Sequence, residues 1–127
     1  MRNRLAAFGA LSGALAVMIG AFGAHGLKGG LADGSITQRG FEAFQTGADY
    51  HLIHAALLFG IGLLPASRLR NLCGGFIIAG MVLFSGSLYI YGVTALPAFA
   101  MITPLGGVSY IAGWLCLAVV LWQHNAQ

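Results

Sequence analysis

From Leu5 to Gly26 the chain carries no charged residue. A helix of that length, rising about 1.5 Å per residue, crosses roughly 30 Å of hydrocarbon. The remainder of the chain agrees with a bilayer as solvent. Charged residues make up 7% of it, against roughly 25% in soluble domains, and mean hydropathy is +0.84. So few charges cannot cover the surface of a soluble protein. Lipid-exposed backbone must satisfy itself, which selects helices or a closed barrel. Long apolar runs select helices, so the expected fold class is all-α.

Met1–Arg4 is a basic head, and with the apolar run it also describes a secretory signal. Ala21 and Gly23 would suit a cleavage site. The run exceeds the roughly 7–15 residues of a signal core and further spans follow, so the reading is an uncleaved anchor. Spans are expected at about residues 5–26, 48–64, 72–93 and 105–122, in one four-helix antiparallel bundle over residues 1–127. Gly26–Gly34 reads as a loop. Ser35-Ile-Thr-Gln38 fits a capping box and predicts a short interfacial helix that bends near Gly47 into the second span. Leu96–Pro104, with two prolines, reads as a connection.

The formal net charge of +3 does not point to nucleic acid, because the basic residues stand at helix ends without a patch. They serve as topology signals instead. Arg2 and Arg4, with Arg68 and Arg70, outweigh Lys28 and Arg39, which places both termini in the cytoplasm. Cys73 and Cys116 lie inside apolar segments and read as free thiols.

Small residues recur at helical spacing. Gly9 and Gly13 form one pair, Ser12, Ala16, Gly20 and Ala24 a ladder, and Gly75 with Ala79 and Ser109 with Gly113 two more pairs. Such positions let membrane helices approach closely. Gly9, Gly13, Gly20, Gly75 and Gly113 are therefore the expected packing residues, within the chain or between copies.

Polar side chains collect at one end of the helices. His25, then Tyr50, His51 and His54, then Ser85, Ser87 and Tyr89, then Ser109 form a candidate polar pocket in the outer half of the bundle. Intramembrane ionisable groups are functional suspects. Tyr50, His51 and His54 share one helical arc, whereas Asp49 lies about 140° from His54. Asp49 is expected to meet Arg39, the loop helix or water.

Gly20-Ala-Phe-Gly-Ala-His-Gly26, Phe44-Gln-Thr-Gly-Ala-Asp-Tyr-His-Leu-Ile-His54, Phe84-Ser-Gly-Ser-Leu-Tyr89, Thr103-Pro-Leu-Gly-Gly107 and Ala112-Gly-Trp114 resemble the family called domain of unknown function 423, of which transmembrane protein 256 is a relative. The resemblance covers nearly the whole chain. It implies a small four-helix membrane protein, in bacteria one of the inner membrane, and it implies no activity. Histidines of the family motif match His25 and His54.

The leading functional reading is a structural or accessory membrane component, held in the lipid bilayer and packed against a larger complex or another copy. On that reading the polar cluster hydrogen-bonds Ser85, Ser87 and backbone carbonyls and fixes helix positions. Two alternatives stay open. The pocket could hold a quinone or lipid headgroup, or His25, His51 and His54 could bind a metal, with a haem between His25 and His54 as a variant. Transport would want a mid-membrane carboxylate, and Asp49 is expected at a margin. The sequence assigns no cofactor. No nucleophile elbow, phosphate loop or paired carboxylate marks an enzyme.

Overall fold

A computed structural model describes residues 3–126, and these form four helices with no strand among them. Helix α1 is Arg4–Asp33 and α2 is Gln38–Leu63. Helix α3 is Arg68–Thr94, with a π-helical turn at Met81–Gly86, and α4 is Pro97–Asn125. α1, α3 and α4 are long and apolar enough to cross a membrane. α2 is not among those three. It is 26 residues long but carries Arg39, Glu42, Asp49, His51 and His54. Its main neighbours are α1 on one side and α3 on the other, and α3 in turn packs along α4.

The α1–α2 pair is a close crossing. Ala6, Gly9, Gly13, Ala16, Gly20 and Gly23 recur at alternating spacings of three and four. Phe44, Ala48, His51, Ala55, Leu58 and Gly62 do the same on α2. This is the coiled-coil rhythm that keeps one seam facing its partner. The seam is antiparallel: Gly9 faces Ala55 and Phe59, Gly20 faces Ala48, and Gly23 faces Phe44. A Cβ on Gly9 would run into the Phe59 backbone, and one on Gly62 into the Ala6 backbone. Van der Waals contact between backbones thus supplies the drive that lipid cannot.

α3 and α4 meet in the same way. Gly106 lies directly on the Leu83–Phe84 backbone within the π turn, Gly113 on Ile77, and Gly80 beneath the Tyr110 ring. Between the pairs, Leu58, Ile61, Cys73 and Ile77 are fully buried and form the apolar core with Ala55, Met81 and Tyr110.

Several expectations need correction. Gly26–Gly34 is not a loop, because α1 continues to Asp33 and ends at Gly34, whose φ of 85° is the left-handed cap that glycine favours. No separate interfacial helix forms. α2 runs unbroken through Gly47, which packs against Leu88, the Ser85 carbonyl and the Tyr89 ring instead of bending. The N-cap is Thr37, accepting from the Gly40 N–H at 2.9 Å, not Ser35, which is taken up by Asp33 and the Gly30 carbonyl. Leu96–Pro104 is also mostly helix. Pro97 occupies the first turn, where its missing N–H costs nothing, and Pro104 is carried inside α4. Gly75 is not a packing residue. It is exposed with nothing over it, because Gly74 and Gly80 occupy the buried face of α3.

Candidate functional site

Buried polar side chains gather where α2 passes the π turn of α3. His54 is 4% exposed. Its Nδ1 is 2.7 Å from the Tyr50 carbonyl oxygen, and its Nε2 receives the Trp114 Nε1–H at 3.1 Å. A carbonyl only accepts and an indole N–H only donates. His54 is therefore neutral with its hydrogen on Nδ1. Its ring lies flat on Tyr110, with centroids 3.6 Å apart and planes 15° apart. Tyr50 stacks beside it and packs its ring on Phe84, with centroids 4.7 Å apart, while the residue stays 43% exposed.

His51 faces the other way, toward α1 and the far half of α3. Its Nε2 is 2.8 Å from Ser12 Oγ and its Nδ1 2.7 Å from the Tyr89 hydroxyl. Ser12 Oγ donates to the Met81 sulfur at 3.4 Å. With the serine hydrogen so directed, His51 donates from Nε2 and accepts the Tyr89 O–H at Nδ1. The two histidines hold opposite tautomers. The chain Tyr89–His51–Ser12–Met81 ties α3, α2 and α1 together.

The π turn sets the remaining hydroxyls. An i→i+5 turn adds a residue to the helical period, and Met81, Ser85 and Ser87 are all buried there. Ser85 Oγ meets the Tyr110 hydroxyl at 3.0 Å. Ser87 Oγ meets Thr103 Oγ1 at 2.6 Å and donates to the Phe84 carbonyl at 2.9 Å. Ser109 Oγ donates to the Phe76 carbonyl at 2.8 Å. Among the described residues no buried side-chain nitrogen or oxygen lacks a hydrogen-bond partner.

The structure thus brings Tyr50, His51, His54, Ser85, Ser87, Tyr89 and Ser109 to one region, but not as one pocket. Neither serine bonds His54. Ser85 and Ser87 belong to α4 through Tyr110 and Thr103, and the partner of His54 is Trp114. His25 does not close the group, because it is exposed on α1 and makes none of these bonds. Along the helices the group reaches from Tyr89 to the middle of α1. Gly13, near the middle of the uncharged run of α1, faces Ala55, the neighbour of His54. Metal ligation by His25, His51 and His54 does not fit this geometry. Both ring nitrogens of His51 and His54 are engaged, and no group of three or more His, Cys, Asp or Glu converges among the described residues. The same bonds leave His54 no free nitrogen for a haem iron.

The sequence reading missed Ser12, Met81, Trp114 and Arg70. Ser12 and Trp114 were visible as a ladder member and a motif residue, but nothing in the chain marks them as imidazole partners. Arg70, read as a topology signal, is 6% exposed and caps α2, donating from Nη1 to the Leu64 carbonyl at 2.9 Å. A guanidinium there also complements the negative end of the helix. Asn71 Oδ1 holds its Nε and Nη2 at 3.2 and 3.0 Å.

Three apolar helices of spanning length around a polar, self-satisfied centre define a helical integral membrane protein. Comparison with known proteins agrees. The family model described as Protein of unknown function (DUF423) matches residues 19–107. The UPF0382 membrane protein YwdK of Bacillus subtilis (strain 168) is 43% identical over 121 residues, covering 91% of this chain and 94% of that protein. The UPF0382 inner membrane protein YgdD of Escherichia coli (strain K12) is 37% identical over 115 residues, covering 88% and 84%. The chain belongs to this family of membrane proteins, to which no molecular function is attached. No solved structure matches it.

Proposed function

We propose that the protein is a non-enzymatic accessory component of the bacterial inner membrane that packs against a larger membrane assembly. All four helices cross the bilayer as an antiparallel bundle, with α2 packed against α1 and α3, and both termini lie in the cytoplasm. The observation that carries this reading is the complete internal pairing of the buried polar groups. A catalytic or ligand site keeps polar atoms free for its substrate. Here the His51 and His54 imidazoles, the Tyr89 and Tyr110 phenols and the Ser12 and Ser85 hydroxyls are consumed in linking helices. Polar residues in membrane bundles commonly act in this way, each bond contributing about 0.6–2 kcal/mol.

The test is extraction in mild detergent at native expression, followed by native electrophoresis. Migration within a larger assembly supports the reading. Migration as the chain alone, with a small molecule bound in stoichiometric amount, contradicts it. One feature favours the ligand alternative: an apolar groove lined by Leu15, Met18, Ile19, Phe22, Phe44 and Tyr89. A quinone tail or acyl chain would fit it. The Tyr89 hydroxyl that would meet a headgroup is engaged by His51, which ranks this reading second.

A further inference from the structure

Asp49 is exposed on the outward face of α2, at a depth where its surroundings are hydrocarbon-facing. Three helices give that depth. On α2, its neighbour Ala48 faces Gly20, and around Gly20 the side chains of Met18 and Phe22 point outward, 63% and 56% exposed. On α3, Gly47 faces Ser85, and nearby Val82 is 65% exposed. Farther toward the polar end, Gly40 meets Gly92, and there Ile90 and Val93 still face outward. Asp49 therefore lies two to three turns inside the apolar belt. A carboxyl facing lipid at such depth is costly in either protonation state, and such residues face protein or water in membrane structures.

Among the described residues no cationic group is bonded to it. Lys28 and Arg39 stand some ten residues nearer the helix ends, about 12–15 Å away; His25, exposed on α1, is five residues beyond Gly20, about 8 Å along the axis; and Arg4, Arg68 and Arg70 are at the opposite end. Gln45, one turn away on the same face, is itself exposed. Together Gln45 and Asp49 line a groove of about 400 Å³, floored by Gly20, Ala24 and Ala48. Along the same outward face the other half of α2 presents Ala56 and Gly60, and nothing lies over Gly60. These two line a second groove with Leu117 and Leu121. From Gln45 to Gly60 the face runs about 22 Å, with the first groove on its α1 flank and the second on its α4 flank, a length that suits a helix.

We propose that the outward face of α2 docks a transmembrane helix of a different membrane protein, one carrying a lysine or arginine at the depth of Asp49. Charge complementarity sets the partner. Among the described residues a second copy of this chain has no lysine or arginine at that depth; it would bring another carboxyl and the neutral Gln45 amide, with His25 as its nearest base about 8 Å farther toward the helix end. The inference rests on the accessory reading above and names its contact surface.

The experiment uses the full chain at native expression in its own membranes, with a photocrosslinking amino acid at Gln45 and, as a control, at Val108 on the outward face of α4. The expected product from position 45 alone is a crosslink to a membrane-spanning peptide that contains a lysine or arginine. Asp49→Lys abolishes it, and changing the partner's basic residue to Asp restores it. Asp49→Leu, which removes the exposed carboxyl without touching the core, leaves the isolated protein's unfolding unchanged while also losing the crosslink. Crosslinks only to lipid or to a second copy overturn the proposal, as does a partner crosslink that survives Asp49→Lys. If the larger assembly persists while position 45 yields no partner, this face is wrong and the accessory reading stands. If the wild-type chain migrates alone, the accessory reading has failed and this proposal with it.

Discussion

The indole N–H of Trp114 donates to Nε2 of His54 across 3.1 Å, joining α4 to α2. The bond fixes the histidine as an acceptor on that nitrogen and turns its other nitrogen to the Tyr50 carbonyl. Trp114→Phe keeps most of the ring and removes the donor. It should lower unfolding stability in bicelles by about 1 kcal/mol. His54→Gln can both donate to Tyr50 and accept from Trp114, so it should cost less than His54→Leu. Equal losses for Gln and Leu would show that the bonds contribute nothing.

The close seam between α1 and α2 makes a steric prediction. Gly9→Ala and Gly62→Ala place a methyl against backbone that cannot move aside, and each should cost about 1–3 kcal/mol. Gly75→Ala meets open space and gains helix propensity, so it should be neutral or stabilising by up to about 1 kcal/mol. Thermal unfolding in one detergent orders the three variants.

Arg70 predicts a loss at the turn between α2 and α3. Arg70→Leu removes the charged donor from the Leu64 carbonyl and frees Asn71. It should cost about 1.5–3 kcal/mol. Arg70→Lys cannot serve both partners and should fall between. Hydrogen exchange at the α2–α3 turn should rise in the same order.

Topology is tested by cysteine labelling. Replacements at Gly34 and at Ala95, both on exposed turns, should react with an impermeant maleimide from outside, and one at Ser67 only after permeabilisation. Cys73 is buried with its thiol on the Gly113 carbonyl and should stay silent. Labelling of Ser67→Cys from outside would reverse the orientation.

Much of this fold is legible in residue order because lipid imposes simple rules. Apolar length yields the helices, and small residues at Gly9 and Gly113 mark close crossings. What stays hidden is non-local. The Gly26–Asp33 glycines look like a loop until Leu27 is seen buried on Phe41 and Phe44, which holds that turn helical. Pro97 and Pro104 look like breakers until one falls at a helix start. The histidines stand out as intramembrane polar groups, yet their partners Ser12 and Trp114 are 39 and 60 residues away in sequence. The π turn that carries Ser85 to Tyr110 has no sequence sign, and the glycine that lies against its backbone, Gly106, is on another helix.

His51 and His54 are spent on holding the helices together. Nitrogen-15 NMR of the histidine-labelled protein in lipid, with and without zinc, reads this directly. The predicted result is two neutral imidazoles of opposite tautomer, the hydrogen on Nδ1 in His54 and on Nε2 in His51, both unmoved by zinc. A hydrogen on Nε2 of His54, or a zinc-induced shift of either ring, would contradict it.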